Sequence, residues 1–215
     1  MARLPPQAYG KGMSRVEVHK FGGTSVGDAQ RMLGDALLIA DAAQNAQIVV
    51  VASAMTKVTD GLIQAADAAL RGERRESLQL VAGLLTRHEE ALQILAPDGG
   101  EAAEAARAGI VQIIDELREL MGAIVLLGEL TARTRDRIIA SGEKMSVRLL
   151  SLALNRHGLS SIPLDADTFL ETDDQFGEAN PLGVVADRTI RAALLPQLSN
   201  GKTPVVTGFC GIAPD

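Results

Sequence analysis

The chain has 215 residues, 47% of them hydrophobic and 22% charged, which suits one α/β domain with a sizeable core and lies far from the disordered class. A net charge of −6 and an aromatic content of 2% argue against a nucleic-acid surface, which needs broad positive potential and stacking platforms. One cysteine excludes an internal disulfide, three scattered histidines give no metal-ligand spacing, and no apolar run reaches a membrane span.

In chain order, residues 1–14 carry Pro5, Pro6, Gly10 and Gly12 and no apolar stretch, so they read as a flexible leader rather than a signal peptide. That predicts a cytoplasmic protein. Residues 16–21 read as a strand that runs straight into Gly22-Gly23-Thr24-Ser25. Asp28 is placed to cap a helix over 29–43, with Met32, Leu33, Ala36, Leu37 and Ala40 on its buried face. Residues 47–52 hold four consecutive β-branched side chains, the signature of a strand covered on both faces of a parallel sheet. A loop over 53–59 precedes a helix opening at Asp60.

Residues 73–127 are helical and rich in Ala, Leu and Glu, broken by Pro97-Asp98-Gly99-Gly100, and read as a helical insertion over about 73–130. A further helix over 133–157 contains Gly142. A strand at 161–164, a polar loop at 172–181, a helix at 187–198 and a strand at 203–207 follow. The last strand runs into the glycine turn Gly208-Phe209-Cys210-Gly211.

The chemistry concentrates in Lys20-Phe21-Gly22-Gly23-Thr24-Ser25-Val26. Glycines let backbone N–H groups approach a ligand, a following helix start favours an anion, and Lys20 sits at the strand end where α/β folds bind ligands. The lysine precedes the glycines, so this is not a P-loop. On spacing alone a plain glycine turn with a solvated lysine fits equally well.

The whole heptapeptide resembles the N-terminal signature of aspartate kinases in the amino-acid kinase superfamily. Val51-Ala52-Ser53-Ala54-Met55 with Lys57-Val58-Thr59-Asp60 is similar to that family's second-strand loop. Ser141-Gly142-Glu143-Lys144-Met145-Ser146 is similar to its Gly-Glu helix start. Thr172-Asp173-Asp174-Gln175-Phe176-Gly177 with Ala179 and Pro181, and Val206-Thr207-Gly208-Phe209-Cys210-Gly211, match two further segments in family order.

The resemblance implies a carbamate kinase-like α/β fold over residues 15–215: a mainly parallel sheet covered by helices, with its C-terminal part missing. It implies transfer of the ATP γ-phosphoryl group to the β-carboxylate of L-aspartate. Lys20, Phe21, Gly22 and Gly23 would hold the phosphates, with Lys20 also catalytic. Ser53 and Thr59 would bind aspartate through their hydroxyls, and Glu143 would accept from its α-ammonium group. Mg²⁺ would arrive with ATP, with no metal ligand in the chain and no tightly bound cofactor. The full-length protein would be a homo-oligomer. The family's Gly-Arg-Gly-Gly-Ser-Asp segment is not in the chain, so a second reading makes it a non-catalytic fragment or an interaction subunit of a complete kinase. Read without the family, Ser53 and Thr59 are turn and cap residues, Glu143 is a solvated charge at a helix start, and Asp173 and Asp174 form a solvated loop.

Overall fold

The computed structural model describes residues 15–213, so residues 1–14, read above as a leader, lie outside the described residues. Four parallel strands, β1 (Val16–Phe21), β2 (Gln47–Ala52), β3 (Ser161–Leu164) and β4 (Thr203–Thr207), form one sheet in the order β1-β2-β4-β3. The order follows from burial. Every residue of β4 is buried and β2 is covered on both faces, so these two take the centre. On the edge strand β1 the expected polarity is reversed. Val16 and Val18 face outward, Val18 being 66% exposed, while Glu17, His19 and Phe21 are half-buried. His19 accounts for its polarity locally, through a 3.0 Å contact with the Glu17 carboxylate.

Helix α1 (Ala29–Ala42) starts where the sequence predicts, with the Asp28 carboxylate accepting from the Arg31 N–H. Its buried stripe is Ala29, Met32, Ala36 and Ile39, a run of i, i+3, i+7 and i+10. Leu37, expected in the core, lies off that stripe and is 57% exposed. Helix α2 (Val58–Leu70) begins before Asp60, from a left-handed Lys57, so Thr59 lies in its first turn. Helices α3 (Arg74–Leu95) and α4 (Glu101–Leu127) pack on each other across the Pro97–Gly100 break, where Gly99 and Gly100 take positive φ.

Helix α5 (Ala132–Arg156) is the centre of the molecule. Capped by the Thr131 hydroxyl, it packs on α1, α2, α3 and α4 and on three of the strands. From Ala140 to Leu154 it is buried at almost every position, as a helix surrounded on all sides must be. A short 3₁₀ turn (Ala166–Thr168) follows β3, and α6 (Gly183–Ser199) covers the other face of β4, starting earlier than the sequence suggests. The main core therefore lies between the sheet and α1–α5. A smaller one, built on Val49, Val206, Ala166 and Leu198, lies beneath α6.

Gly142 sets how closely α5 approaches α2. A Cβ there would stand 3.0 Å from Ala54 Cβ, 3.1 Å from Val58 Cγ1 and 3.2 Å from Leu62 Cδ1. One methyl group gains about 1 kcal/mol of helix propensity and loses a similar amount to crowding. Gly142→Ala should therefore leave the urea midpoint nearly unchanged. Gly142→Val, whose extra methyls have nowhere to go, should cost about 2 kcal/mol.

Candidate functional site

The register brings four strand exits to one edge. Phe21 pairs with Ala52, Ala52 with Thr207, and Leu164 with Val206, so Gly22, Ser53, Gly208 and Asp165 leave the sheet together at its C-terminal end. That is where an open parallel sheet binds ligands. The Gly22 carbonyl accepts from the N–H groups of Ser25 (2.9 Å) and Val26 (3.1 Å), which curls the chain toward α1. The two glycines have different causes. A Cβ on Gly22 would meet nothing within 4 Å, so this position faces open space. A Cβ on Gly23 would stand 3.1 Å from the Ala54 carbonyl oxygen, so this glycine serves the contact with the β2–α2 loop. The same loop returns the contact, the Thr56 hydroxyl donating to the Gly23 carbonyl at 2.9 Å.

The sequence predicts that the α1 N-terminus helps to attract an anion. In the structure that end is already served by a protein anion, since Asp28 Oδ1 accepts from the Arg31 N–H at 2.9 Å. What remains for an external anion is the Gly22 side of the turn and the exposed ammonium of Lys20.

Glu143 is neither solvated nor at a helix start. It lies midway along α5 and is 7% exposed. Its Oε2 accepts from the N–H groups of Gly208 and Phe209, each at 2.7 Å. Burial pushes its carboxyl above the ordinary 4.5, while those two N–H groups and the Lys20 ammonium pull the other way. The Lys20 charge is thus felt at Glu143, and the remaining carboxylate oxygen, Oε1, is free to accept from a further donor. Ser53 leaves β2 at the same edge, its N–H donating to the Phe21 carbonyl at 3.0 Å. Thr59 sits half-buried in the first turn of α2, one residue beyond Val58, whose side chain touches the Gly142 position.

Two further α5 residues, which the sequence reading gave no role, hold the β3 exit. Arg148 grips Asp165 with both terminal nitrogens, at 2.9 and 3.0 Å, and also donates to the Lys144 carbonyl. Lys144 pairs with Asp167 at 2.6 Å. The Ala166 N–H donates to the Thr207 hydroxyl at 2.8 Å, which ties the β3 exit to the β4 exit. The Lys144-x-x-x-Arg148 spacing, two cations on one face of the buried second half of α5, is the signal that could have found them. Burial pushes the Cys210 thiol up to about 11, so it stays protonated and acts as a packed group.

Beside the β4 exit lies a cavity of about 530 Å³, bounded by the first half of α5, by loop 172–181 and by residues 208–213. Gly211 is fixed by this packing, since a Cβ there would overlap the Thr172 methyl and lie 2.7 Å from the Leu170 carbonyl. The cavity meets Gly208 and Phe209, the residues that Glu143 holds; Lys20, Ser53 and Thr59 lie outside its wall. Among the described residues no three His, Cys, Asp or Glu side chains cluster to hold a metal ion, and no helix is long and apolar enough to cross a membrane.

Residues 15–215 match the family model described as the amino acid kinase family. The chain is 31% identical over 200 residues to aspartokinase 3, chloroplastic, of Arabidopsis thaliana, covering 90% of this chain and 34% of that protein. It is 31% identical to the aspartokinase of Schizosaccharomyces pombe, covering 92% of this chain and 38% of that one. Among solved structures, Escherichia coli aspartokinase III in complex with aspartate and ADP superposes with a TM-score of 0.76 at 28% identity, over 92% of this chain and 41% of that chain. The chain thus spans between a third and about two fifths of the length of these relatives.

The raised carboxyl of Glu143 has a signed consequence for stability. A group that ionises less readily in the folded chain withdraws stability as pH rises from 4.5 through its folded value, and contributes nothing below 4.5, where both states are protonated. Glu143→Gln keeps an acceptor for Gly208 and Phe209 and removes the titration. With increasing pH above 4.5 the unfolding free energies of the two proteins should separate in favour of the variant. Asp35, raised to about 6 by burial, contributes equally to both and cancels. Urea titrations across this range check the prediction, and a constant difference would show that Glu143 ionises without penalty.

Proposed function

The chain belongs to the amino acid kinase family, and from that membership we propose that it carries the aspartate-binding and phosphate-binding edge of an aspartokinase. The reaction is transfer of the γ-phosphoryl group of ATP to the side-chain carboxylate of L-aspartate, giving 4-phospho-L-aspartate, the first step toward lysine, threonine and methionine. The observation that carries this reading is the pairing of a buried, half-occupied carboxylate with an exposed lysine at the strand exits.

Each residue has a physical task in this reaction. The acceptor carboxylate is already ionised near neutrality, so no strong base is required, and positioning and charge neutralisation supply the rate. Lys20 neutralises the phosphate chain and the group in transfer. The backbone of Phe21, Gly22 and Gly23 lines its path, and the open space beside Gly22 leaves room for a phosphate oxygen. Ser53 and Thr59 donate hydroxyl hydrogen bonds to aspartate. Glu143 Oε1 accepts from its ammonium group, a charge-assisted contact made stronger by burial. Mg²⁺ would be held by the nucleotide phosphates and its own waters rather than by a protein cage. The whole protein is a homo-oligomer of the cytoplasm in this reading.

Calorimetry with aspartate and with MgATP, followed by hydroxylamine trapping of the acyl phosphate, tests it. Aspartate should bind the 215-residue chain. Lys20→Ala should weaken MgATP binding by about tenfold or more, the worth of one charge-assisted contact, with the fold unchanged. A folded chain that binds neither ligand sinks the proposal. Aspartate binding with no trapped product in any mixture would favour the non-catalytic subunit instead.

A further inference from the structure

Loop 172–181 has no role in the reading above, yet it forms one wall of the cavity beside Phe209. Its base is built into the fold. The Thr172 N–H donates to the Ile212 carbonyl, Asp173 N–H to Asn180, and Leu182 N–H to Glu171, each at 2.9 Å. Its interior is stitched by Asp173, whose carboxylate accepts from the backbone N–H (2.9 Å) and side-chain amide (3.1 Å) of Asn180 and from the Gln175 N–H (3.3 Å). Those bonds, led by the Asn180 backbone, hold Asp173 below the usual carboxylate range.

The tip is held differently. At Gly177 the backbone takes φ 91, a conformation that costs glycine little, and its N–H donates to Asp136 Oδ2 on α5 at 2.7 Å. The Arg133 guanidinium, about one turn earlier, stands over the Phe176 ring at 5.9 Å. Phe176 and Gly177 line the cavity wall, and α5 is the element outside the loop that holds them there. A loop tip without such a hold opens at low free-energy cost.

The geometry points to Asp136 as a positioning residue. By accepting the Gly177 N–H it pins the Phe176–Gly177 tip as the outer wall of the cavity, whose inner wall is the Gly208–Phe209 turn held by Glu143, and so sets the affinity of the adjoining site for its amino-acid substrate. The second clause rests on the aspartokinase reading; the first does not. A hydrogen bond to an ionised carboxylate is worth about a factor of ten in an equilibrium. The half-buried helical position tolerates substitution, since Ala there is favoured by helix propensity.

The test compares wild type, Asp136→Ala and Asp136→Asn, whose amide oxygen can still accept the bond. In Asp136→Ala the Gly177 amide should exchange about tenfold faster and the aspartate Kd should rise about tenfold, with MgATP affinity and the unfolding midpoint unchanged. Asp136→Asn should recover most of both. Unaltered Gly177 exchange in Asp136→Ala overturns the pin. Unaltered aspartate affinity, or an equal fall in MgATP affinity, overturns its role in substrate binding. If the wild-type chain binds no aspartate, the substrate reading itself has failed, and Gly177 exchange alone decides whether the pin exists.

Discussion

A carboxylate sunk into the boundary between a helix and a sheet is the constraint that organises this molecule. Glu143 gives one oxygen to the N–H groups of Gly208 and Phe209, so α5 cannot move without carrying the β4 exit with it. Burying a carboxylate is costly unless its oxygens find donors, and the β4 turn supplies two from its backbone. Gly142 beside it lets the same helix pack closely against Ala54 and α2. One turn further along, Arg148 holds Asp165, while Lys144 holds Asp167. Within little more than one turn, α5 thus fixes two strand exits, and Thr207 closes the ring between them.

The distribution of charge follows the same division. The chain is net negative, yet several acidic groups near the strand exits are already spent. Asp28 caps α1, Asp165 and Asp167 answer the cations of α5, and Asp173 serves its own loop. Lys20 is left exposed, with its field reaching the buried acid. A negatively charged group would find the lysine at the edge, and a positively charged one would find Glu143 in the interior. A zwitterion placed between them would have each end facing its opposite despite the net negative charge of the chain.

Much of the fold was legible in the sequence, and the failures are instructive. All four strands and the Asp28 cap were readable because β-branched runs, glycine turns and capping side chains are local signals. The α1 face was misjudged at Leu37 because a hydrophobic residue next to a stripe looks like part of it until the neighbouring helices are in place. The outward valines of β1 were invisible because period-two alternation does not say which face is covered. Lys20 and the glycines drew attention by lying beside a strand end, whereas Ser53 was singled out only through the family resemblance. The burial of Glu143 had no such local signal, since the N–H groups that hold it come 65 and 66 residues later in the chain. Asp136 and Gly177 are likewise 41 residues apart and share no local pattern.

Gly109 in α4 ties the outer helices to this edge. A Cβ on it would fall 2.7 Å from Arg148 Nε and 3.0 Å from Arg148 Cδ, so the arginine stem passes through the notch that this glycine leaves. The two positions are therefore size-complementary. A side chain at 109 would press on the Arg148 stem, and any shift there would be felt at the carboxylate of Asp165 that Arg148 grips. A change of size in the outer helix α4 is thus transmitted through one arginine to the exit of β3.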